Sequence, residues 1–275
     1  MLARRALPLL AALAPRPAFA EGIAAIEARV GGRLGVMARQ GGRVLAHRAG
    51  ERFPMASTFK ALLSAAVLAE APDMARRLSI PRELVPWSPV TERHAGGSLS
   101  LDELCAAIMT ISDNTAANLL LGVVGGPAGL TSWLRGIGDG VTRLDRTEPA
   151  LNEARPGDPR DTTTPEAMVA TLTRLALGDV LAPPARARWL GWLEGNTTGG
   201  ARLRAGVPAG WRVGDRTGGA AHGTSNVVGL LWPPGAAPWV VAAFLTESAA
   251  PPAARDAALA DVARLLAGIE GPGNW

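Results

Sequence analysis

The 275-residue sequence contains no tyrosine, one cysteine, three histidines and, among 28 Lys+Arg, a single lysine, Lys60. Each scarcity closes a route. Cys105 has no partner for an internal disulfide, and its place in the apolar run LDELCAAIM makes it a packed small hydrophobe rather than a reactive thiol. His47, His94 and His222 have neither metal-ligand spacing nor a nearby cysteine, which argues against a zinc centre, so no metal and no cofactor is expected. No apolar run reaches the roughly 20 residues that cross a bilayer. The formal net charge is +4, but Arg4, Arg5 and Arg16 fall in the first twenty residues, which hold no acid, so the remainder carries +1. With its arginines scattered, the chain has no electrostatic footprint for DNA or RNA.

What is present is a globular composition, 48% hydrophobic with 33 Gly and 22 Pro, enough for one large domain or two interleaved ones. The opening MLARRALPLLAALAPRPAFA has an arginine pair, an apolar run from Ala6 to Ala14, and small residues at Ala18 and Ala20. This is the pattern of a secretory signal cleaved after Ala20, which predicts a periplasmic or secreted protein with no stable membrane association after cleavage. EGIAAIEARVG then predicts a helix, and RLGVMARQ-GG-RVLAHRA two strands joined through Gly41 and Gly42. From Ser57 to about Glu194 the apolar spacing of three and four predicts helices at TFKALLSAAVLA, LDELCAAIMTI, TAANLLLGVV, TPEAMVATLTRLAL and PARARWLGWLEG, with no strand between them. Strand patterns return in GWRVGDRTG, SNVVGLLWP and WVVAAFLT, before a closing helix around ARDAALADVARLLAG. The expected class is α/β (α+β): a discontinuous antiparallel sheet domain from residues 21–48 and 196–275, and an all-helical domain from 49–195 inserted into it. A cleft between the two is a natural ligand site.

Four stretches carry chemistry. Ser57 and Lys60 sit three apart where the loop RFPMAS enters a helix, so hydroxyl and amine share one face. A serine at a helix start is also an ordinary N-cap. Yet arginine stays protonated whereas a desolvated lysine can give up its proton, which is a chemical reason to keep one lysine here. Ser112-Asp113-Asn114 lies between two helical runs and reads equally as a cap and turn. The polar stretch from Arg143 to Pro165 reads as an Ω-loop, with Glu148 and Asn152 on a short turn able to hold a water and Arg146 and Asp161 able to clamp its ends. Arg216-Thr217-Gly218-Gly219 ends a strand and suits a carboxylate, although a plain strand-to-turn transition explains the same residues.

Taken in order, Ser57-x-x-Lys60, Ser112-Asp113-Asn114, Glu148-Pro-Ala-Leu-Asn152 and Arg216-Thr-Gly resemble the class A serine β-lactamases. WSPVTERH (from Trp87), SDNTAANLLL and GNTTGGARLR extend the resemblance along the chain. It implies a monomeric enzyme that hydrolyses the β-lactam ring of penicillins and, as a second class, cephalosporins, and so confers resistance. It implies Ser57 as nucleophile, with the N–H groups of Ser57 and Gly219 as oxyanion hole. Lys60, or Glu148 through a water, takes the serine proton; Ser112 passes one to the leaving nitrogen; Glu148 and Asn152 direct the deacylating water. Asn114 holds the substrate side-chain amide, Trp87 forms a wall, and Thr217 and Gly218 line the site.

The chain departs from the family pattern in three places. Arg216 stands for the usual lysine, as in members that hydrolyse carbenicillin, and is expected to preserve attraction for the substrate carboxylate. Ser225 stands where many members have a carboxylate-binding arginine, and Arg202 matches the position from which others supply it. Ala56 and Ser64 stand where some members carry cysteines, so the cysteine-stapled, carbapenem-hydrolysing pattern is absent. Two other readings stay open: a DD-peptidase acting on peptidoglycan stems, and a sensor or inactive relative that is acylated without turnover.

Overall fold

The computed structural model describes residues 17–71 and 73–269, so most of the expected export signal lies outside the described residues. Helix α1, Pro17–Val30, begins before Ala20 rather than after it. Phe19, Ile23, Ile26 and Val30 recur at intervals of three and four, and this single buried stripe draws the end of the expected leader into the helix. Strands β1 (Arg33–Gln40) and β2 (Arg43–His47) form the expected hairpin, with Gly41 at φ +55 supplying the left-handed turn.

The middle of the chain follows as β3 (Phe53–Pro54), α2 (Phe59–Glu70), β4 (Arg77–Ser79), β5 (Ser98–Ser100), α3 (Leu101–Thr110), α4 (Asn114–Val123), α5 (Gly126–Gly136), β6 (Thr162–Thr163), α6 (Pro165–Leu177) and α7 (Pro183–Glu194). It is not free of strands: β4 pairs with β5, and β3 with β6. Two- and three-residue strands are too short to show an alternation, so the sequence pattern passes over them. Helix α5 was likewise not expected, because GPAGLTSWLRG opens on glycines and a proline and buries only Leu130 and Leu134. Helix α3 starts from a capping box in which Ser100 accepts from the Glu103 N–H and Glu103 accepts from the Ser100 N–H.

After the short α8 (Leu203–Gly206), strands β7 (Arg212–Ala220), β8 (Thr224–Trp232) and β9 (Trp239–Thr246) and helix α9 (Pro252–Ile269) complete the chain. The main sheet has the order β2-β1-β9-β8-β7 and is antiparallel throughout. Strand β9 is buried on both faces, so its residues divide by parity. Val241, Ala243 and Leu245 pack with Ile23, Leu259 and Leu266 under α1 and α9. Val240, Ala242 and Phe244 face the opposite core with Phe59, Leu62, Met168 and Leu172 of α2 and α6. The last strands thereby meet α6, and β7 and β8 also pack on the turn 56–58 that leads into the helix carrying Lys60. Cys105 is fully buried in that core, and burial pushes its thiol pKa up, as expected of a packed hydrophobe.

Candidate active site

Ser57 lies in the 3-10 turn Ala56–Thr58 that leads into α2. It does not cap the helix. The cap positions, Met55 for the turn and Thr58 for α2, make no side-chain cap bond, while the Ser57 hydroxyl sits 3.0 Å from Lys60 Nζ and 3.4 Å from Glu148 Oε1. The three-residue offset puts the two side chains together as the helical geometry requires. Lys60 is fully buried, yet its amine lies 2.9 Å from Glu148 Oε1, 3.0 Å from the Ser112 carbonyl and 3.2 Å from Ser112 Oγ, and also bonds Asn114 Oδ1. Burial lowers its pKa from 10.5 to about 8, and the Arg216 charge pushes the same way; Glu148 pulls it back up.

Ser112-Asp113-Asn114 divides its labour. Asp113 is the cap: it accepts from the Ala116 N–H at 2.8 Å and ties down the N–H groups of Val90 and Thr91 at 2.9 Å each. That anchorage holds Ser112 at φ +72, with its hydroxyl toward Lys60. Asn114 Nδ2 donates to the Pro86 carbonyl at 2.8 Å, so both ends of the amide expected to meet substrate already have protein partners.

Glu148 enters from the loop, fully buried as a side chain, and accepts from Asn152 Nδ2 across the short 3-10 turn Ala150–Glu153. Asn118, which was not singled out from sequence, grips the Glu148 backbone from both sides: its Nδ2 donates to the carbonyl and its Oδ1 accepts from the N–H, each at 2.9 Å. The signal was available, since Asn114 and Asn118 are four apart on α4 and so share a face. The Arg146–Asp161 clamp forms, at 2.6 Å, with Asp161 also accepting from the N–H groups of Asp145 and Arg146.

A cleft of about 310 Å³ is lined by Ser57, Trp87, Ser112, Asn114, Asn152, Thr198, Arg202, Thr217, Gly218 and Gly219. A larger depression of about 770 Å³ beside α5 has Glu70 as its only ionisable lining residue, so volume alone would choose the wrong place. Trp87 stands 64% exposed at the cleft, with Nε1 donating to the Ile111 carbonyl at 3.2 Å. Thr198, also missed from sequence, bonds the Thr217 hydroxyl.

Two expected carboxylate-binding residues need correction. Arg216 is fully buried beneath the cleft and donates to Ser112 Oγ and to the Thr217 carbonyl, the latter at 2.9 Å. Its charge reaches the site from below, without a surface there; burial lowers its pKa to about 10. Ser225 is buried outside the cleft lining, where its hydroxyl accepts from Arg255 Nε at 3.1 Å. Arg202 does reach the cleft wall, with its side chain 14% exposed. Its Nε pairs with Asp256 at 2.7 Å and its Nη1 donates to the carbonyls of Gly218 and Asn226, which leaves Nη2 without a partner among the described residues.

A nucleophile touching both an amine of lowered pKa and a carboxylate is a machine for acyl transfer followed by hydrolysis. Comparison with known proteins agrees. The profile of the β-lactamase enzyme family matches residues 18–268. Beta-lactamase FAR-1 of Nocardia farcinica (strain IFM 10152) is 51% identical over 244 residues, 86% of this chain and 77% of that protein. The carbapenem-hydrolyzing beta-lactamase KPC of Klebsiella oxytoca is 46% identical over 262 residues, 92% of this chain and 89% of that protein. The solved structure of an ancestral (GNCA) class A β-lactamase superposes with a TM-score of 0.90 at 57% identity, covering 91% of this chain and 99% of the ancestor. With likenesses of this depth running from α1 to α9, the chain belongs to the class A serine β-lactamases.

Proposed function

We propose that this β-lactamase opens the ring of penicillins, with cephalosporins as a second class, through an acyl-enzyme on Ser57. The observation that carries the mechanism is that one hydroxyl, Ser57 Oγ, lies within 3.0 Å of Lys60 Nζ and 3.4 Å of Glu148 Oε1. Lys60 with a pKa of about 8 is partly neutral at physiological pH and takes the serine proton as Oγ attacks the carbonyl carbon. The N–H groups of Ser57 and Gly219 receive the developing oxyanion. As the ring C–N bond breaks, Ser112 passes a proton from Lys60 to the nitrogen; its Oγ lies 3.2 Å from Lys60 Nζ and accepts from Arg216. Glu148, oriented by Asn152, then deprotonates a water that attacks the ester and frees Ser57. The Arg202 guanidinium binds the substrate carboxylate, with Thr217 supplying a hydroxyl and Arg216 a field from beneath. Trp87 offers an aromatic face to the acyl side chain.

The same reading includes cleavage of the leader after Ala20, a periplasmic or secreted monomer, and two parts divided at 48/49 and 195/196. The leader's arginine pair, short apolar run and small-residue end support export. The test is a time course with benzylpenicillin and a chromogenic cephalosporin, followed by intact mass. Sustained turnover is expected. Glu148→Ala should slow deacylation on the order of 10²–10⁴-fold and trap an adduct on Ser57, and Lys60→Arg should abolish acylation. A single-equivalent burst from the unaltered enzyme would mean acylation without turnover, and an undiminished acylation rate in Lys60→Arg would remove the amine from the mechanism.

A further inference from the structure

We infer that Asn226, on β8, is a positioning residue for the oxyanion site. It stands directly opposite Gly218 in the β7–β8 ladder, so the side chains of the two positions share one face of the sheet. The chain leading into the nucleophile lies against that face. A Cβ on Gly218 would fall 2.9 Å from the Met55 carbonyl oxygen and 3.1 Å from Ser57 N, so the close approach depends on glycine. Asn226 holds what Gly218 admits. Its fully buried Nδ2 donates to the carbonyls of Pro54 at 2.8 Å and Met55 at 3.1 Å. The next residue, Ala56, sits at φ +46, a left-handed conformation that costs energy for a residue with a side chain and persists only when its surroundings hold it. The Ala56–Ser57 peptide carries the Ser57 N–H, so the grip on Met55, which Asn226 shares with Thr58 Oγ1 at 2.8 Å, helps set where that N–H points. The Asn226 main-chain carbonyl accepts from Arg202 Nη1 at 2.6 Å, so one residue ties the oxyanion side of the cleft to its carboxylate-binding side. The amide is kept at a cost: Nδ2 makes both of its hydrogen bonds, while the buried Oδ1 has no hydrogen-bond partner among the described residues.

The inference rests on reading the Ser57 and Gly219 N–H groups as the oxyanion donors, and the experiment separates the two. For the unaltered enzyme, Asn226→Ala and Asn226→Asp, kcat and KM are measured with a chromogenic cephalosporin, together with inhibition by phenylboronic acid and the thermal midpoint. Ser57 Oγ adds to boron as its proton leaves to the neighbouring base, and a boron-bound oxygen occupies the oxyanion position. In Asn226→Ala, kcat should fall about 10- to 100-fold and the boronate inhibition constant rise in step, with KM within about threefold. In Asn226→Asp a carboxylate would face two carbonyls; activity relative to the unaltered enzyme should recover as pH falls and the protonated carboxyl donates again. An Asn226→Ala enzyme with a lowered thermal midpoint but unchanged kcat and boronate affinity would overturn the proposal. If that variant does not fold, a pH-independent activity ratio for Asn226→Asp overturns it. Failure of the unaltered enzyme to bind the boronate would instead remove the oxyanion reading itself.

Discussion

Lys60 Nζ has five oxygen atoms around it: Ser57 Oγ, Ser112 Oγ, the Ser112 carbonyl, Asn114 Oδ1 and Glu148 Oε1. An ammonium group has three protons to share among them, so the cluster is built around proton exchange rather than a static ion pair. Because Lys60 is the sole lysine, isotopic labelling of lysine places one ε-carbon signal in an NMR spectrum. That signal should titrate near 8, and in Glu148→Gln it should titrate lower, since the carboxylate is what raises it. A midpoint near 10.5 would show that burial does not control the amine. The stability consequence has a definite sign. Below pH about 8 both native and unfolded chains hold the proton, and the native state bears the full cost of a buried cation. Between about 8 and 10.5 only the unfolded chain holds it, so stability relative to Lys60→Met rises with pH across that window. The Ser57–Lys60 pairing was legible from spacing, because three residues along a helix fix a face. The depth of Arg216 was not: a strand places neighbours on opposite faces, but nothing local says which face is covered.

The loop from Arg143 to Pro165 is the element on which the proposed deacylation depends, since it delivers Glu148 and Asn152. Asp161 fastens its end to its beginning: the carboxylate is fully buried and accepts from two backbone N–H groups and from Arg146 Nε. Asp161→Asn should destabilise the enzyme by roughly 3 kcal/mol, the low end for breaking a buried pair, because Arg146 keeps Glu153 at 2.7 Å. Deacylation should slow more than acylation, because Ser57 sits on the turn before α2 and Lys60 on α2, while the pair proposed to direct the water rides on the loop. Pre-steady-state rates for the two steps decide it, and an equal loss in both would assign the clamp to general stability. Long helices and buried strands declared themselves by periodicity. The loop's clamp was readable from opposite charges near its ends; the face that Asn118 shares with Asn114 was readable too, but that this face meets Glu148 required the fold to bring α4 beneath the loop.

At the scale of the whole molecule, the expected leader and the fold overlap. Phe19, on α1, is buried in the core it shares with α9, yet the expected cleavage after Ala20 removes it. Protein recovered from outside the cytoplasm should begin at Glu21 by intact mass, and should be less stable than the uncleaved chain by about 1.5–3 kcal/mol, the value of one large apolar side chain. Exported protein retaining residues 1–20 would sink the cleavage assignment. The sheet's topology bears on the same journey. Strand β1, near the start, finds its inner neighbour in β9, so Arg33 lies beside Thr246 and Arg39 beside Val240. Pairing across some two hundred residues of chain is slow to nucleate, because the connecting segment must be ordered or confined before those bonds form. A polypeptide still emerging from the ribosome therefore carries β1 and β2 as a hairpin with no sheet to join. The arrangement delays closure until the last strand has been made, which on the expected export route keeps the chain threadable through a membrane channel for as long as synthesis lasts.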